Sequence, residues 1–522
     1  PDRAAFAASI RDRLVEVHAL TEPFFSHDAA PKAGAPGAAE VFRDPERAVA
    51  MMAAWRRLPA FRSERARTIF DRLEPQLMTR LAGAAQPDEA LVSLDAFLSR
   101  LPAGVQIFSL FEAHPSLMDL MVDICSTTPE LARYLGRNAA VLDAVIGSDF
   151  YKPLRGPGEL LAELSEILDG IEDYETKLNR ARIWMKERHF RIGVHLLRDV
   201  AGADEAAAAY SAVAEAVVGA ILPAVADEFA RRHGAAPGAG AAVAAMGKFG
   251  SREMTVSSDL DLIVIYDADA AAVSDGKRPL AAPVYYARMT QALIAALTAP
   301  MADGVLYKVD MRLRPSGRQG PVATSLASFR RYQEEEAWTW EHMALTRARV
   351  VAGPEGLAGA VAAAIAETLR RPHDPAKVLA DARDMRRRLA EAHEAAAANP
   401  WEVKLGPGRM MDIELLAQAG ALLAGRPGSR RPRAMLERLG RDGWIARGDA
   451  ARLGAQLDRL ASLQQLGRLA SDHTIDPAEG GEGLVRLVLA ATGAADLDAL
   501  RGTLAAEAAA CAAIVGARLA AP

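Results

Sequence analysis

The sequence predicts an α+β protein that is mostly α-helical, in which a small mixed β-sheet with helices is flanked by helical bundles. Of its 522 residues, 51% are hydrophobic but only 6% are aromatic. The apolar content is therefore mostly alanine, leucine and valine, which form helices or fit into them at close packing distances. Strand-like patterns are confined to one part of the chain, between residues 241 and 313.

Changes in pattern divide the chain into four regions, in line with the three or four domains that its length suggests. Residues 1–104 are predicted to form N-terminal helices and a linker-like region, because residues 26–40 contain proline and glycine without apolar periodicity. Residues 105–232 are predicted as a helical prefix to residues 233–355, the α/β core. Residues 356–522 are predicted as a C-terminal helical bundle.

A long helix is predicted over residues 173–198, within the helical prefix. It carries a series of cationic side chains, at Lys177, Arg180, Arg182, Lys186, Arg188 and Arg191. These side chains could form a solvated face or a wall that faces an anionic substrate, and the sequence leaves both interpretations open.

Charge and cysteine content exclude several classes of protein. The formal net charge is −5, which provides no net field for holding nucleic acid or an anionic membrane. No run approaches the 18 or so apolar residues of a membrane span. The two cysteines, Cys125 and Cys511, lie far apart in the sequence. We therefore expect a reducing compartment, the cytoplasm, with neither nucleic acid nor membrane as a partner.

Three strands are predicted within the α/β core, over residues 241–246, 259–266 and 306–313. The first follows a glycine- and proline-rich segment, and the second ends in a continuous β-branched run. A helical pattern over residues 283–299 lies between the second and third strands. The predicted core is thus a small sheet with at least one crossing helix.

A turn with glycine and serine follows the first predicted strand. It contains Gly247, Lys248, Gly250, Ser251 and Arg252. Glycine has no Cβ, so backbone N–H groups and a hydroxyl can approach phosphate oxygens closely in such a turn. The positive charges of Lys248 and Arg252 could counter the negative charge of the phosphates. We expect this turn to bind the triphosphate of a nucleotide.

Three acidic residues lie on the second and third predicted strands. Asp259 and Asp261 are two positions apart, so both side chains point to the same face of a strand and could bind one or two Mg²⁺ ions. Asp310 lies between two apolar residues, where a lone carboxylate is costly to bury without a cation. By itself Asp310 could pair with Arg312 or Arg314, but beside the other two acids it is predicted to complete a two-metal site.

The order of a Gly-Ser turn, an Asp-x-Asp strand and a later single-Asp strand resembles the polymerase-β-like nucleotidyltransferase core. Four segments are more specific still, and together they resemble the glutamine synthetase adenylyltransferase/adenylyl-removing enzyme family; they are residues 247–253, 257–262, 309–317 and 336–342. The sequence departs from that family after the core. A Gly-Gly pair becomes Gly408-Arg409, and a phenylalanine becomes Leu415.

The resemblance implies an enzyme that transfers AMP from ATP to a tyrosine hydroxyl of glutamine synthetase, with release of pyrophosphate and down-regulation of nitrogen assimilation. It implies that Asp259, Asp261 and Asp310 are catalytic and hold Mg²⁺. The segments match the C-terminal, transferring half of a longer bifunctional chain, so residues 1–104 would include part of its regulatory linker. A PII-type signal protein and glutamine are the implied regulators.

Three alternatives remain open at the level of the sequence. The same fold could remove AMP from glutamine synthetase by phosphorolysis, with ADP as the product. It could transfer UMP to a PII signal protein. A helical docking module with a degenerate site is a third possibility, although the three acids argue against it.

Overall fold

The computed structural model describes residues 41–520, apart from 85, 139–140, 302, 427, 472 and 475. The N-terminal helix and linker predicted before residue 41 lie outside these described residues. The rest is an α+β protein, mostly helical, with one small mixed sheet. The predicted fold class is confirmed.

The described chain before the sheet is helical. Its α-helices are α1 (Pro45–Trp55), α2 (Glu64–Ala82), α3 (Pro87–Arg100), α4 (Val105–Ala113), α5 (Pro115–Thr127), α6 (Pro129–Arg137), α7 (Val141–Ile146), α8 (Pro157–Asp169), α9 (Tyr174–Leu197) and α10 (Ala203–His233). The long helix predicted over residues 173–198 is α9. It begins after Asp173, whose carboxylate accepts a hydrogen bond from the backbone N–H of Thr176 at 2.8 Å.

The sheet lies between residues 241 and 352. Its strands are β1 (Ala241–Ala245), β2 (Leu260–Tyr266), β3 (Val309–Asp310), β4 (Ala323–Ser325) and β5 (Arg349–Ala352). β1 is antiparallel to β2 and β5, whereas β3 and β4 both run parallel to β2. The predicted third strand, residues 306–313, is shortened to β3. β4 and β5 were not predicted, because three or four residues are too few to show alternation.

Helices interrupt the sheet and then form the C-terminal part of the protein. They are α11 (Gly247–Ser251), α12 (Ala282–Thr298), α13 (Leu326–Glu335), α14 (Thr339–Leu345), α15 (Glu355–Arg370), α16 (Pro375–Ala392), α17 (Glu394–Ala397), α18 (Met410–Leu423), α19 (Pro432–Arg441), α20 (Arg447–Ala470), α21 (Gly481–Thr492) and α22 (Leu497–Ala520). α12 is the helix predicted between the second and third strands.

Three clusters of buried apolar side chains stabilise the fold. One lies among the N-terminal helices, from Phe42 to Val194. The largest runs from Leu160 to Leu519 and includes one face of the sheet. The third covers the other face of the sheet, where α13 and α15 pack. Since the largest cluster crosses residues 233 and 356, the four-region division of the chain stays a prediction.

Two helices are long and apolar enough to span a membrane by length and composition alone, α10 and α22. The apolar part of α10 is mostly buried inside the protein, and this burial accounts for its composition. α22 is alanine-rich, and its polar side chains are engaged in the protein: Glu507 pairs with Arg452, and Arg518 donates to the carbonyl of Trp444. A soluble core helix passes the same test, so the pair is a weak indication of a membrane protein.

Candidate active site

The turn after β1 is in direct contact with the first acidic strand. Gly247 has a φ of +50°, in the left-handed region. A Cβ at this position would collide with Oδ2 of Asp261. The carboxylate of Asp261 therefore lies against the turn, and the backbone N–H of Met246 donates to the Asp261 carbonyl at 2.8 Å. The predicted phosphate turn and one predicted metal ligand are neighbours.

Gly250 is closely packed against neighbouring backbone, and the hydroxyl of Ser251 is already hydrogen-bonded. A Cβ at Gly250 would collide with the carbonyl oxygens of Arg347 and Ala245, so this glycine allows α11 to pack on β5 and β1. The Ser251 hydroxyl donates to the Gly247 carbonyl at 3.0 Å and accepts from Nη2 of Arg347 at 2.7 Å. To bind phosphate, Ser251 would have to exchange one of these bonds, and its role in nucleotide binding stays a prediction.

Lys248 and Arg252 point in different directions. Lys248 donates to the side-chain carbonyl of Gln464 in α20, and burial lowers the pKa of its ammonium group to about 8. Arg252 has a φ of 61° and lies 3.5 Å from a carboxylate oxygen of Glu215 in α10. Of the two predicted counter-charges, Lys248 lies between the turn and the C-terminal helices, whereas Arg252 is directed toward α10.

The three predicted acids meet at the start of β2. The parallel register of β2 and β3 places Asp261 opposite Asp310, and Asp259 is the exposed residue before β2. The pKa of Asp261 is raised to about 6, first by burial and then by the negative charges of Asp310 and Asp259. Arg347 and Lys404 oppose this rise without cancelling it, so cations compensate the ionised carboxylate of Asp261 only in part.

Arg312 holds Asp310 in this structure. Its backbone N–H donates to Oδ1 of Asp310 at 2.8 Å and its Nε to Oδ2 at 2.7 Å. Burial raises the pKa of Asp310, but these hydrogen bonds outweigh burial and lower it overall. The sequence had left pairing of Asp310 with Arg312 open, and the structure contains that pair.

The donor set suits Mg²⁺, because carboxylate oxygens are the ligands that this ion prefers. However, no three His, Cys, Asp or Glu side chains within the described parts of the chain are arranged to hold a metal. Both oxygens of Asp310 are bonded to Arg312. Asp259, Asp261 and Asp310 therefore suit a metal in chemistry but are not arranged around one here, and Arg312 would have to release Asp310 before they could surround it.

Arg347 is a residue of this region that the sequence did not single out. Its guanidinium group is buried and bonds to Ser251, to Glu253 at 2.9 Å and to Glu414 at 2.9 Å. Burial raises the pKa of Glu253, while Arg347 opposes this effect. Arg347 thus ties the end of the turn to α18. Its partners are 67 to 96 residues away in the sequence, so no local signal could have identified it.

The segment in which the sequence departs from the family has a structural role here. The backbone N–H of Gly408 donates to Asp412 at 2.7 Å, and Arg386 of α16 donates to both Asp412 oxygens at 2.6 and 2.9 Å. Asp412 therefore holds the glycine turn and α16 together. Glu414, two residues further along α18, is the partner of Arg347.

Known proteins are similar to this chain over most of its length. The family model described as glutamate-ammonia ligase adenylyltransferase matches residues 118–364. A relative from Mesorhizobium japonicum is 42% identical over 448 residues, which cover 85% of this chain and 45% of the relative. One from Xanthobacter autotrophicus is 39% identical over 517 residues, 94% of this chain and 52% of the relative.

A relative from Brucella melitensis is 44% identical over 367 residues, which cover 70% of this chain and 37% of the relative. All three relatives are named bifunctional glutamine synthetase adenylyltransferase/adenylyl-removing enzyme. The chain spans about half the length of the curated relatives it matches. On this similarity, 39–44% identity over 70–94% of its length, the chain belongs to the glutamine synthetase adenylyltransferase/adenylyl-removing enzyme family.

Proposed function

We propose that this chain transfers AMP from ATP to a tyrosine hydroxyl of glutamine synthetase and releases pyrophosphate, as the C-terminal, transferring half of the bifunctional enzyme in the bacterial cytoplasm. One observation carries the proposal. The carboxylate of Asp261 lies against the Gly247 turn and opposite Asp310. A phosphate-binding turn beside paired acids is the arrangement that nucleotidyl transfer requires.

The turn would bind the triphosphate of ATP. Gly247 leaves room for phosphate oxygens, and Lys248 supplies a positive charge beside it. After a shift of α11, the backbone N–H of Gly250 and the hydroxyl of Ser251 would donate hydrogen bonds to the phosphates. Arg252 would add charge at the far end of the turn. Of the two cations, Lys248 is the stronger candidate, because it directly follows Gly247, the residue that Asp261 contacts.

Asp259, Asp261 and Asp310 would hold two Mg²⁺ ions. When bound, the ions would lower the pKa of the attacking phenol and stabilise charge on the α-phosphate. Asp310 would complete the site or accept the phenol proton. In either role its carboxylate must first part from Arg312, so ATP binding and the release of Asp310 are expected to be coupled.

Removal of AMP from glutamine synthetase is a second candidate, because the relatives' names include adenylyl removal. The two directions differ in their products. Incubation with AMP-modified glutamine synthetase and phosphate would yield ADP if the chain removes AMP. A preference for UTP over ATP would instead favour uridylylation of a PII protein. Regulation by a PII-type protein and by glutamine is proposed from the family resemblance.

The direct test is to incubate glutamine synthetase with the chain, ATP and Mg²⁺, and to measure the mass of glutamine synthetase. We expect a gain of one adenylyl group on one tyrosine. The variant Asp259→Asn should lose transfer by orders of magnitude, since a carboxamide is a poor ligand for Mg²⁺. Its circular dichroism should be unchanged, because Asp259 is exposed. Transfer at a normal rate by this variant would exclude the proposed site.

A further inference from the structure

A cavity of about 480 Å³ opens beside Asp259. Its walls are the last turn of α6, the middle of α9, the loop at residues 256–259 and the segment at residues 303–308, with Arg468 of α20 at its edge. This volume lies within the range of ligand-binding sites. The cavity is therefore large enough for a few side chains of a partner.

The cavity is strongly cationic in a chain whose net charge is negative. Two carboxylates, Asp259 and Asp303, face five cationic side chains, which are Arg133, Arg137, Lys186, Lys308 and Arg468. Arg137, Lys308 and Arg468 make no ion pair with any residue that the structure describes. Since like charges repel, three such cations around one cavity favour an anionic occupant.

The remaining lining is apolar and aromatic. His189 contributes no charge, because burial lowers its pKa to about 3 and its ring lies 3.0 Å from the Tyr307 hydroxyl. Tyr134 and Phe190 line the same side. An occupant with both carboxylates and apolar groups matches this lining.

Three of the six cations of α9 make contacts that stabilise the fold. Arg182 donates to the carbonyls of Ala296 and Ala299, Arg188 pairs with Glu163, and Arg191 donates to the carbonyl of Phe150. Lys186 is the α9 cation in the cavity wall. The interpretation of α9 as a wall facing an anion therefore applies to this one side chain.

The order of the strands places the acids between the nucleotide turn and the cavity. β2 has β1, which leads into the Gly247 turn, on one side and β3 on the other. The cavity lies on the β3 side, where the carbonyl of Lys308 accepts from the backbone N–H of Leu260 at 2.8 Å. A nucleotide on the turn and an occupant of the cavity would therefore approach Asp259 and Asp261 from opposite sides.

We propose that the cavity binds an acidic segment of the protein acceptor, next to the hydroxyl that receives AMP. This inference rests on the proposed function, because it places the acceptor opposite the nucleotide. The cations would attract carboxylates of that segment, while Tyr134 and Phe190 would contact its apolar side chains. The cavity then determines affinity for the acceptor and not for ATP.

The test is the double variant Arg137→Ala/Arg468→Ala, which removes charges on α6 and α20 outside the acids and the turn. We expect the KM for glutamine synthetase to rise about threefold to tenfold, with kcat and the KM for ATP unchanged, because solvent-accessible charge pairs contribute modestly to affinity. The matched control is Arg447→Ala, an exposed arginine at the other end of α20. Its KM for glutamine synthetase should equal that of the unmodified chain.

A direct binding measurement separates this inference from the proposed function. Fluorescent hexaglutamate should bind the unmodified chain by anisotropy, and it should bind the double variant more weakly. If the unmodified chain transfers no AMP, the proposed function fails, and the peptide measurement still tests the cavity. Equal peptide binding by both proteins, or an unchanged KM for glutamine synthetase, would overturn the inference. A rise in the KM for ATP alone would assign the cavity to the nucleotide and would overturn it too.

Discussion

Gly247 has to be glycine for two separate reasons. Its φ of +50° disfavours side chains, and the carboxylate of Asp261 occupies the space that a Cβ would need. The sequence alone could suggest the glycine turn and the acidic strand. It could not reveal that the two are in contact, because that contact depends on how β1 pairs with β2.

We therefore expect Gly247→Ala to lower the rate of AMP transfer at least about tenfold, since it displaces Asp261 and narrows the turn. Stability should fall by about 1–3 kcal/mol, from backbone strain and steric conflict. The control is Gly502→Ala in α22, where a Cβ meets nothing within 4 Å. That change should raise stability by about 0.5–1 kcal/mol and leave transfer unchanged. Initial rates and urea unfolding measure both effects, and equal rates for the two variants would contradict this account of the turn.

Asp261 carries a stability cost that depends on pH. Its pKa is raised from 3.8 to about 6 in the folded protein, so the folded state binds more protons than the unfolded state between these values. The contribution of Asp261 to the free energy of unfolding therefore falls as the pH rises from about 4 to about 6. At pH 7 the ionised carboxylate disfavours folding by up to about 3 kcal/mol in the absence of metal.

Asp261→Asn should consequently stabilise the metal-free protein at pH 7 and abolish AMP transfer. The gain should shrink at pH 4, where the native carboxyl group is already protonated. Thermal unfolding in EDTA at both pH values measures this difference. Addition of Mg²⁺ should raise the Tm of the unmodified chain and not that of the variant, because a ligand of the native state shifts its stability. A variant less stable than the unmodified chain at pH 7 would indicate that Asp261 is compensated by another group.

At the scale of elements, long helices and the two longer strands follow from periodicity, whereas the short strands do not. α9 and α12 match the predicted ranges closely, and β1 and β2 lie within one residue of theirs. β5 has four residues, and its place beside β1 is defined by hydrogen bonds and by Arg349, which pairs with Glu215 of α10 at 2.7 Å. Contacts between distant segments, which a single sequence does not display, position such elements.

Arg347 is the clearest case of a buried charge that joins two elements, because it links the end of the turn after β1 to α18. Arg347→Met would leave the partly buried carboxylates of Glu253 and Glu414 without their cation, and loss of one partner of a buried ion pair costs up to about 3–5 kcal/mol. The comparison is Arg387→Met, whose pairs with acids of α16 are largely exposed, and its urea midpoint should stay close to that of the unmodified chain. Urea unfolding of both variants gives the difference. Similar urea midpoints for the two variants would show that Glu253 and Glu414 pair with other cations or become protonated.

For the whole molecule, the composition predicts the helical fold class but not the distribution of its cores. The α/β region was predicted as a unit, yet its sheet shares one apolar cluster with the C-terminal helices as far as Leu519. The N-terminal helices have a separate cluster, joined to the rest through α9, whose Phe190 and Val194 belong to it. Periodicity identifies which face of a helix is buried, but it does not identify the partner of that face.

These cores predict unequal effects of truncation. A chain that begins at residue 156 keeps the whole of the largest cluster, whose first member is Leu160, and should fold with a cooperative urea transition. A chain that ends at residue 355 loses every member of that cluster from Val378 onward, and it also loses α15, whose Leu357 and Val361 cover the other face of the sheet. We expect the second chain to lack near-ultraviolet circular dichroism and to aggregate, since its sheet face would be exposed to water. Cooperative unfolding of that second chain would instead mean that the sheet and its own helices form an independent domain.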